Sequence, residues 1–200
     1  MKRPVCSHCL RPVKVCYCHT IVGVDNRWPV HILQHPTETK HAIGTARIVS
    51  LSLSQCNLQV GESLSEECLS AELATDRSPL LVYPGEDSVS LERLDKTTIR
   101  PLIFLDASWR KSRRMLFESA ELRSIPKVSF QPVNVSRYRI RKEPDSHALS
   151  TLEAIVHVLS YLEQDEDKYR PLLNSMDWMI EKQIEMMGRD VFENNYKGYL

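Results

Sequence analysis

Short apolar runs alternate with stretches of helical period along most of the chain. Pro29-Val30-His31-Ile32-Leu33-Gln34 reads as a strand, and Glu38 to Ser54 as a helix in which Ala42, Ile43, Ala46, Val49 and Leu53 recur near a 3.6-residue period. Ser65 to Leu73 predicts a further helix. Pro79-Leu80-Leu81-Val82-Tyr83 reads as a strand closed by Pro84-Gly85. Thr98 to Leu105 predicts another strand, whose uninterrupted apolar end Leu102-Ile103-Phe104-Leu105 suits the buried middle of a sheet. A helix from Ser108 or Trp109 to Leu122, a strand around Lys127-Val128-Ser129-Phe130, and helices over Ser150–Glu163 and Lys168–Met187 complete the order. The sequence therefore predicts an α/β domain with a mostly parallel sheet and flanking helices.

The chain has 200 residues, enough for one core, and its 42% hydrophobic content is ordinary for a water-soluble protein. No apolar run approaches a membrane span, so a cytoplasmic protein is expected. The formal net charge of zero hides a strong segregation. Between Trp109 and Lys142 lie ten basic residues (Arg110, Lys111, Arg113, Arg114, Arg123, Lys127, Arg137, Arg139, Arg141, Lys142) against only Glu118 and Glu121, whereas twelve acidic residues face five basic ones from Glu143 onward. Two readings follow: an arginine-rich face that tracks phosphates, backed by an acidic tail, or internal pairing of the basic stretch with that tail.

The first eighteen residues hold four of the six cysteines, Cys6, Cys9, Cys16 and Cys18, as Cys-x-x-Cys, a six-residue spacer, and Cys-x-Cys. Four thiolates on two tight turns match a tetrahedral zinc site, which would stand in for a core in so short a segment. His8 and His19 are possible substitutes as ligands, and two disulfides are the competing reading. Nothing before Cys6 resembles a signal peptide, which favours metal. A zinc knuckle over residues 1–24 and an α/β domain over residues 25–200 are expected. Cys56 and Cys68 stand in helix-like, partly apolar surroundings and read as semi-buried residues.

Ligands of a parallel sheet collect where its strands end, and Asp106 directly follows the apolar run of the 98–105 strand. Its carboxylate is either a proton acceptor at a sheet edge or a cap for the helix that follows. His35-Pro36-Thr37-Glu38 shapes a strand-to-helix loop more naturally than a metal cluster with His41.

Asp106-Ala107-Ser108-Trp109 resembles the Asp-x-Thr-Trp signature of the DTW-domain proteins. The amino-terminal cysteines, His35-Pro36-Thr37-Glu38 with Gly44-Thr45-Ala46-Arg47, Val82-Tyr83-Pro84, Tyr138-Arg139-Ile140-Arg141 and Ser150-Thr151-Leu152-Glu153-Ala154 follow in the order that family shows, so the resemblance covers nearly the whole chain. Ser108 stands where Thr is usual, and Gly44 where Asn is common. The resemblance implies a tRNA-uridine aminocarboxypropyltransferase, which moves the 3-amino-3-carboxypropyl group of S-adenosylmethionine to N3 of a uridine in tRNA. It also implies kinship with the SPOUT class and its carboxy-terminal knot.

On that resemblance Asp106, Ser108 and Trp109 are the candidate catalytic residues. Tyr83, Pro84, Leu105, Asp106, Tyr138, Arg139, Arg141, Thr151 and Glu153 are candidates for the cofactor, with Arg139 or Arg141 suited to its carboxylate and Glu153 or Glu38 to its ammonium. His35, Glu38, Lys40, Thr45, Arg47, Arg110, Lys111, Arg113 and Arg114 are candidates for tRNA. The absence of a Gly-x-Gly-x-x-Gly turn argues against the common dinucleotide cradle. Uridine N3 is a weak acid of pKa roughly 9 to 10, by comparison with tyrosine, so a base would assist its attack. Asp106 would need a raised pKa for this, and burial against Trp109 is the expected cause. A SPOUT-type methyltransferase and a noncatalytic zinc-containing RNA-binding module are the rival readings.

Overall fold

In the computed structural model, residues 4–64, 78–132, 136–140 and 149–196 are described. The predicted helix over Ser65–Leu73, together with Cys68, Arg141 and Lys142, lies outside them. Six strands, β1 (Val30–Gln34), β2 (Cys56–Val60), β3 (Leu80–Val82), β4 (Val89–Ser90), β5 (Leu102–Asp106) and β6 (Lys127–Ser129), form one sheet. Its order is β2-β1-β5-β3-β6-β4, and every neighbouring pair is parallel. The helices are α1 (Ala46–Ser52), α2 (Trp109–Glu118), α3 (Ala120–Ser124), α4 (Thr151–Glu163), α5 (Arg170–Met187) and α6 (Arg189–Tyr196).

The pleat sends successive side chains to opposite faces. Val30, Ile32, Leu102 and Phe104 join a large core with α1, α4 and α5, while Leu33, Leu81 and Ile103 join a smaller one with Met115 of α2 and Leu122 of α3. Asp106 and Gln34 share the parity of Phe104 and Ile32, so both emerge on the side that α4 covers. The amino-terminal segment packs into the larger core, where Tyr17 is wholly buried and Cys9 nearly so. No helix among the described residues is long and apolar enough to cross a membrane.

Several boundaries depart from the sequence expectation for identifiable reasons. The helix expected over Glu38–Ser54 is a 3₁₀ turn, Pro36–Lys40, followed by α1, because His41 is extended (ψ 122°) and breaks the run. The helix expected from Ser108 or Trp109 to Leu122 is two. Ser119 ends α2 by donating its N–H to the Met115 carbonyl, and its hydroxyl accepts the Leu122 N–H to start α3. Thr98 to Arg100 stay outside β5, since Pro101 lacks an N–H and the Arg100 guanidinium turns to the Ser78 carbonyl at 2.7 Å. Cys56 lies on edge strand β2 and not in helical surroundings, and burial pushes its thiol up to about 12. The strands β2 and β4 and the helix α6 were not anticipated from the pattern.

Candidate functional site

The carboxyl ends of β3, β5 and β6, the loop after β1 and the first turn of α4 enclose a cleft of about 890 Å³. Asp106, the last residue of β5, lies in its wall and is 9% exposed. Parallel register sets it beside Gln34, whose Nε2 donates to Oδ2 at 2.7 Å, and the Thr151 hydroxyl donates to Oδ1 at 2.5 Å. Burial raises the Asp106 pKa above the ordinary carboxylate range and the nearby charge of Glu38 adds to this, while the bonds from Thr151 and Gln34 and the charge of His41 oppose it. The carboxylate is thus committed across the sheet and to α4, and it does not cap α2.

Trp109 does not supply that burial. It is 46% exposed at the cleft mouth, its ring edge-on to Tyr83 at 5.9 Å between centroids. The desolvation of Asp106 comes from its position at the end of a buried strand, beneath α4. Ser108, in extended conformation, is the residue before α2 and also faces the cleft.

Of the other predicted cofactor residues, Tyr83, Pro84, Leu105, Tyr138 and Thr151 line the cleft. Arg139 and Glu153 are not in its lining. Arg139 is ion-paired with Glu181 of α5. Glu153 accepts hydrogen bonds from the Ser136 hydroxyl and the N–H groups of Arg137 and Ser150, completing a reciprocal cap in which the Ser150 hydroxyl accepts the Glu153 N–H.

Among the residues predicted for RNA, Glu38, Thr45 and Lys111 line the cleft, with Lys111 Nζ 2.9 Å from Glu38 Oε1. His35 ends β1's loop side. Its Nδ1 accepts the Thr37 N–H, and its Nε2 lies 3.3 Å from Glu62 Oε1. Arg47 turns away and donates to the His8 carbonyl at 2.6 Å and 3.0 Å. Lys40, Arg110, Arg113 and Arg114 are exposed, and Arg114 pairs with Glu118 on its own helix. The internal-pairing reading of the basic stretch therefore has members. Arg137 and Arg139 pair with Asp177 and Glu181 of the acidic α5, whereas Arg110 and Arg113 form no ion pair among the described residues.

The four amino-terminal cysteines are free thiols whose sulfurs all lie within 4.8 Å of one another. Cys6 and Cys18 are 3.6 Å apart and Cys9 and Cys16 are 3.7 Å apart. A tetrahedron with Zn–S bonds of about 2.3 Å has edges of about 3.8 Å, so this donor set can hold a metal ion such as zinc. The Cys6 thiol is lowered to about 6, chiefly by the Cys9 and His8 backbone N–H groups. From this knuckle Arg11 donates to the carbonyls of His41 (2.8 Å) and Gly44 (3.3 Å), gripping the loop that forms one lip of the cleft. The Tyr138 hydroxyl holds the same loop at the Ile43 carbonyl.

Sequence reasoning passed over Gln34, Ile43, Phe130 and Tyr196 as cleft or site residues. Gln34 carried a usable signal. It is the polar terminus of an apolar run, as Asp106 is of its own, and two such ends in a parallel sheet belong at one edge. Tyr196 reaches the cleft from α6, which no pattern announced.

A sequence model of the DTW domain matches residues 3–184. The chain is 30% identical over 194 residues to tRNA-uridine aminocarboxypropyltransferase 2 of Mus musculus, covering 92% of this chain and 65% of that protein. It is likewise 30% identical over 194 residues to the protein of that name from Drosophila melanogaster, covering 92% of this chain and 76% of the relative. The similarity to tRNA-uridine aminocarboxypropyltransferase A of Arabidopsis thaliana is 24% over 219 residues, covering 93% and 83%. The chain thus spans just under two thirds of the length of the mouse relative.

Proposed function

Because the chain belongs to the DTW-domain family, we propose that it is a tRNA-uridine aminocarboxypropyltransferase that uses S-adenosylmethionine as donor and N3 of a uridine in tRNA as acceptor. The observation that carries this reading is Asp106, a desolvated carboxylate in the wall of a cleft of about 890 Å³. That volume is in the upper part of the range of small-molecule sites, roughly 300–1,000 Å³. Its lining is mixed: Val82, Phe104, Phe130 and Ile140 are apolar, and Glu38, Thr45, Asp106, Ser108 and Thr151 are polar. A nucleoside with a zwitterionic side chain needs both.

S-Adenosylmethionine, when bound, supplies a sulfonium with three activated carbons, and the reaction uses the aminocarboxypropyl one and leaves methylthioadenosine. The protein's share is to orient and to move one proton. Asp106 accepts the N3 proton of the uridine, its raised pKa narrowing the gap to a roughly 9 to 10 acid. Gln34 and Thr151 fix the carboxylate so that little motion is required at the moment of transfer. Tyr83, Pro84, Leu105, Tyr138 and Thr151 are assigned to the donor side, and Glu38 is the acid in the cleft suited to an ammonium group. Arg139 and Glu153 keep a place in this proposal only as supports of the donor side, Glu153 by holding Ser136 and Arg137, while Arg141 stays a candidate for the donor's carboxylate. Trp109, Ser108, Lys111, Arg110, Arg113 and Arg114 are assigned to the RNA side, with His35, Lys40, Thr45 and Arg47 shaping the loop region beside it.

Cys6, Cys9, Cys16 and Cys18 would hold a structural zinc, which supplies a cross-link and no chemistry. Free thiols accord with a cytoplasmic enzyme. The proposal extends to SPOUT kinship with a carboxy-terminal knot, which rests on the family resemblance; residues 128–132, 138, 140, 149–151 and 154 line one side of the cleft.

The test is incubation of the protein with bulk tRNA and S-adenosylmethionine, followed by nucleoside mass analysis. Aminocarboxypropyluridine with methylthioadenosine is expected. A methylated nucleoside with S-adenosylhomocysteine would convert the reading to a methyltransferase, and tRNA binding without turnover would reduce it to a binding module. Asp106→Asn should lower transfer by at least about a hundredfold, the lower end of general-base effects, and an active variant would remove Asp106 as the base.

A further inference from the structure

The outer face of α2 carries a row in which the proposed function uses Trp109 and Arg113 and leaves Phe117 unassigned. Trp109, Arg113 and Phe117 are spaced i, i+4, i+8, so they form one ridge running from the cleft mouth to the far end of the helix. Trp109 lines the cleft and is 46% exposed. Phe117 is 79% exposed, more than any other large apolar side chain described, and Arg113 between them is exposed as well. Arg110 and Arg114 flank the ridge, while Ser112 and Met115 face the protein.

A single exposed phenylalanine ordinarily needs no explanation. Here it continues a line of aromatic, guanidinium, aromatic that starts at the active cleft. The Arg123 guanidinium donates to the Phe117 carbonyl and ties down the last turn, so the ring stands on a fixed backbone. Eight residues of helix place the two aromatics about 12 Å apart along the axis.

Resting on the reading of tRNA as substrate, we propose that this ridge is a stacking track for unpaired nucleotides next to the target, with Phe117 the distal platform and Arg113 and Arg110 holding the intervening phosphates. The charge favours a polyanion, and the aromatic faces require bases that are not already stacked within a duplex. Phe117 thereby contributes to RNA selection without touching the reacting atoms.

The inference is tested by Phe117→Ala, Phe117→Leu and Phe117→Tyr in the full chain, first by fluorescence anisotropy with a single-stranded oligouridylate and a matched RNA duplex. This arm does not depend on catalysis. The Ala and Leu variants should bind the single strand about tenfold more weakly, the size of one base–aromatic stack, and the duplex unchanged, with Tyr near the parent protein. In the transfer assay the same variants should raise the KM for tRNA about tenfold and leave kcat and the KM for S-adenosylmethionine within about twofold. Arg113→Met should instead reduce the slope of log affinity against log salt by about one, which the Phe117 variants should not alter. Unchanged single-strand binding in Phe117→Ala, full rescue by Leu, or loss of a self-associated state with RNA binding intact would overturn the proposal. A parent protein that binds RNA through Phe117 but transfers nothing would sustain it while sinking the proposed reaction.

Discussion

At the scale of single residues, the state of Asp106 is a balance between burial, which favours the protonated acid, and two donated hydrogen bonds, which favour the carboxylate. Thr151→Val deletes one of those bonds and keeps the shape. A hydrogen bond to a charged acceptor is worth about 1.5–3 kcal/mol, and one pH unit corresponds to about 1.36 kcal/mol. The acid limb of the rate profile should therefore move to higher pH by at least about one unit, measured by initial rates across pH. A shift to lower pH would contradict the assignment. Stability has the opposite dependence. With the folded pKa raised above the unfolded value, the native state binds the proton more tightly, and stability falls as pH rises through that window. Asp106→Asn removes this cost, so its Tm above the window should equal or exceed that of the parent even as activity is lost. Gly44 shows the reverse situation, a residue without a backbone requirement. A Cβ there would meet the His41 carbonyl at 3.5 Å and the Glu38 carbonyl at 3.6 Å, ordinary contacts that the family's common Asn could accept.

Elements matter here as supports for loops. The knuckle is bolted to the domain by Arg47 on the His8 carbonyl, by the Ser175 hydroxyl on the Thr20 carbonyl at 2.8 Å, and by Arg11 on the cleft loop. On the proposal that Cys6, Cys9, Cys16 and Cys18 hold zinc, a chelator under reducing conditions should lower Tm and increase amide hydrogen exchange over residues 41–45, with β5 remaining protected. Unchanged exchange in that loop would show that the knuckle does not brace the cleft. The start of α4 is equally specific, because its cap fixes the turn from which Thr151 reaches Asp106. Ser150→Ala should cost about 1 kcal/mol in urea denaturation, as loss of a helix cap does. How much of this was legible depends on the element. α4 and α5 were found to within two residues, because long amphipathic helices carry their signal locally, α4 with a Ser-x-x-Glu start and α5 with Pro171 in its first turn. The 38–54 segment was misjudged because its apolar period is real but His41 is extended, and a period cannot report a break held by tertiary contacts from Arg11 and Tyr138.

For the whole molecule, part of the charge segregation is internal pairing. Arg137 and Arg139 are neutralised by Asp177 and Glu181 on α5, at side chains still partly open to solvent. Exposed pairs of this kind contribute about 0–1 kcal/mol. Asp177→Asn with Glu181→Gln should thus change stability by no more than about 1 kcal/mol per pair while freeing two guanidinium groups. Affinity for tRNA should rise at low salt, with a steeper salt dependence. A loss of affinity would show that the pairs position the cleft wall and do not screen it. The parallel sheet also explains why the cleft forms where it does. Three strands of one direction, β3, β5 and β6, end side by side, and loops, α4 and α6 close over that edge.

What the sequence determined by itself was whatever neighbouring residues settle among themselves: the apolar runs that become β1, β3, β5 and β6, the Ser150–Glu153 cap, the cysteine spacing, and Asp106 at a strand end. Tertiary structure alone decided that Gln34 lies level with Asp106, that Thr151 reaches it from 45 residues away, and that Arg139 turns to α5. Parallel strands make all their hydrogen bonds to distant segments, so strand order and register leave little trace in any window of the chain. A side chain's partner, and with it the pKa of a buried carboxylate, follows from that packing.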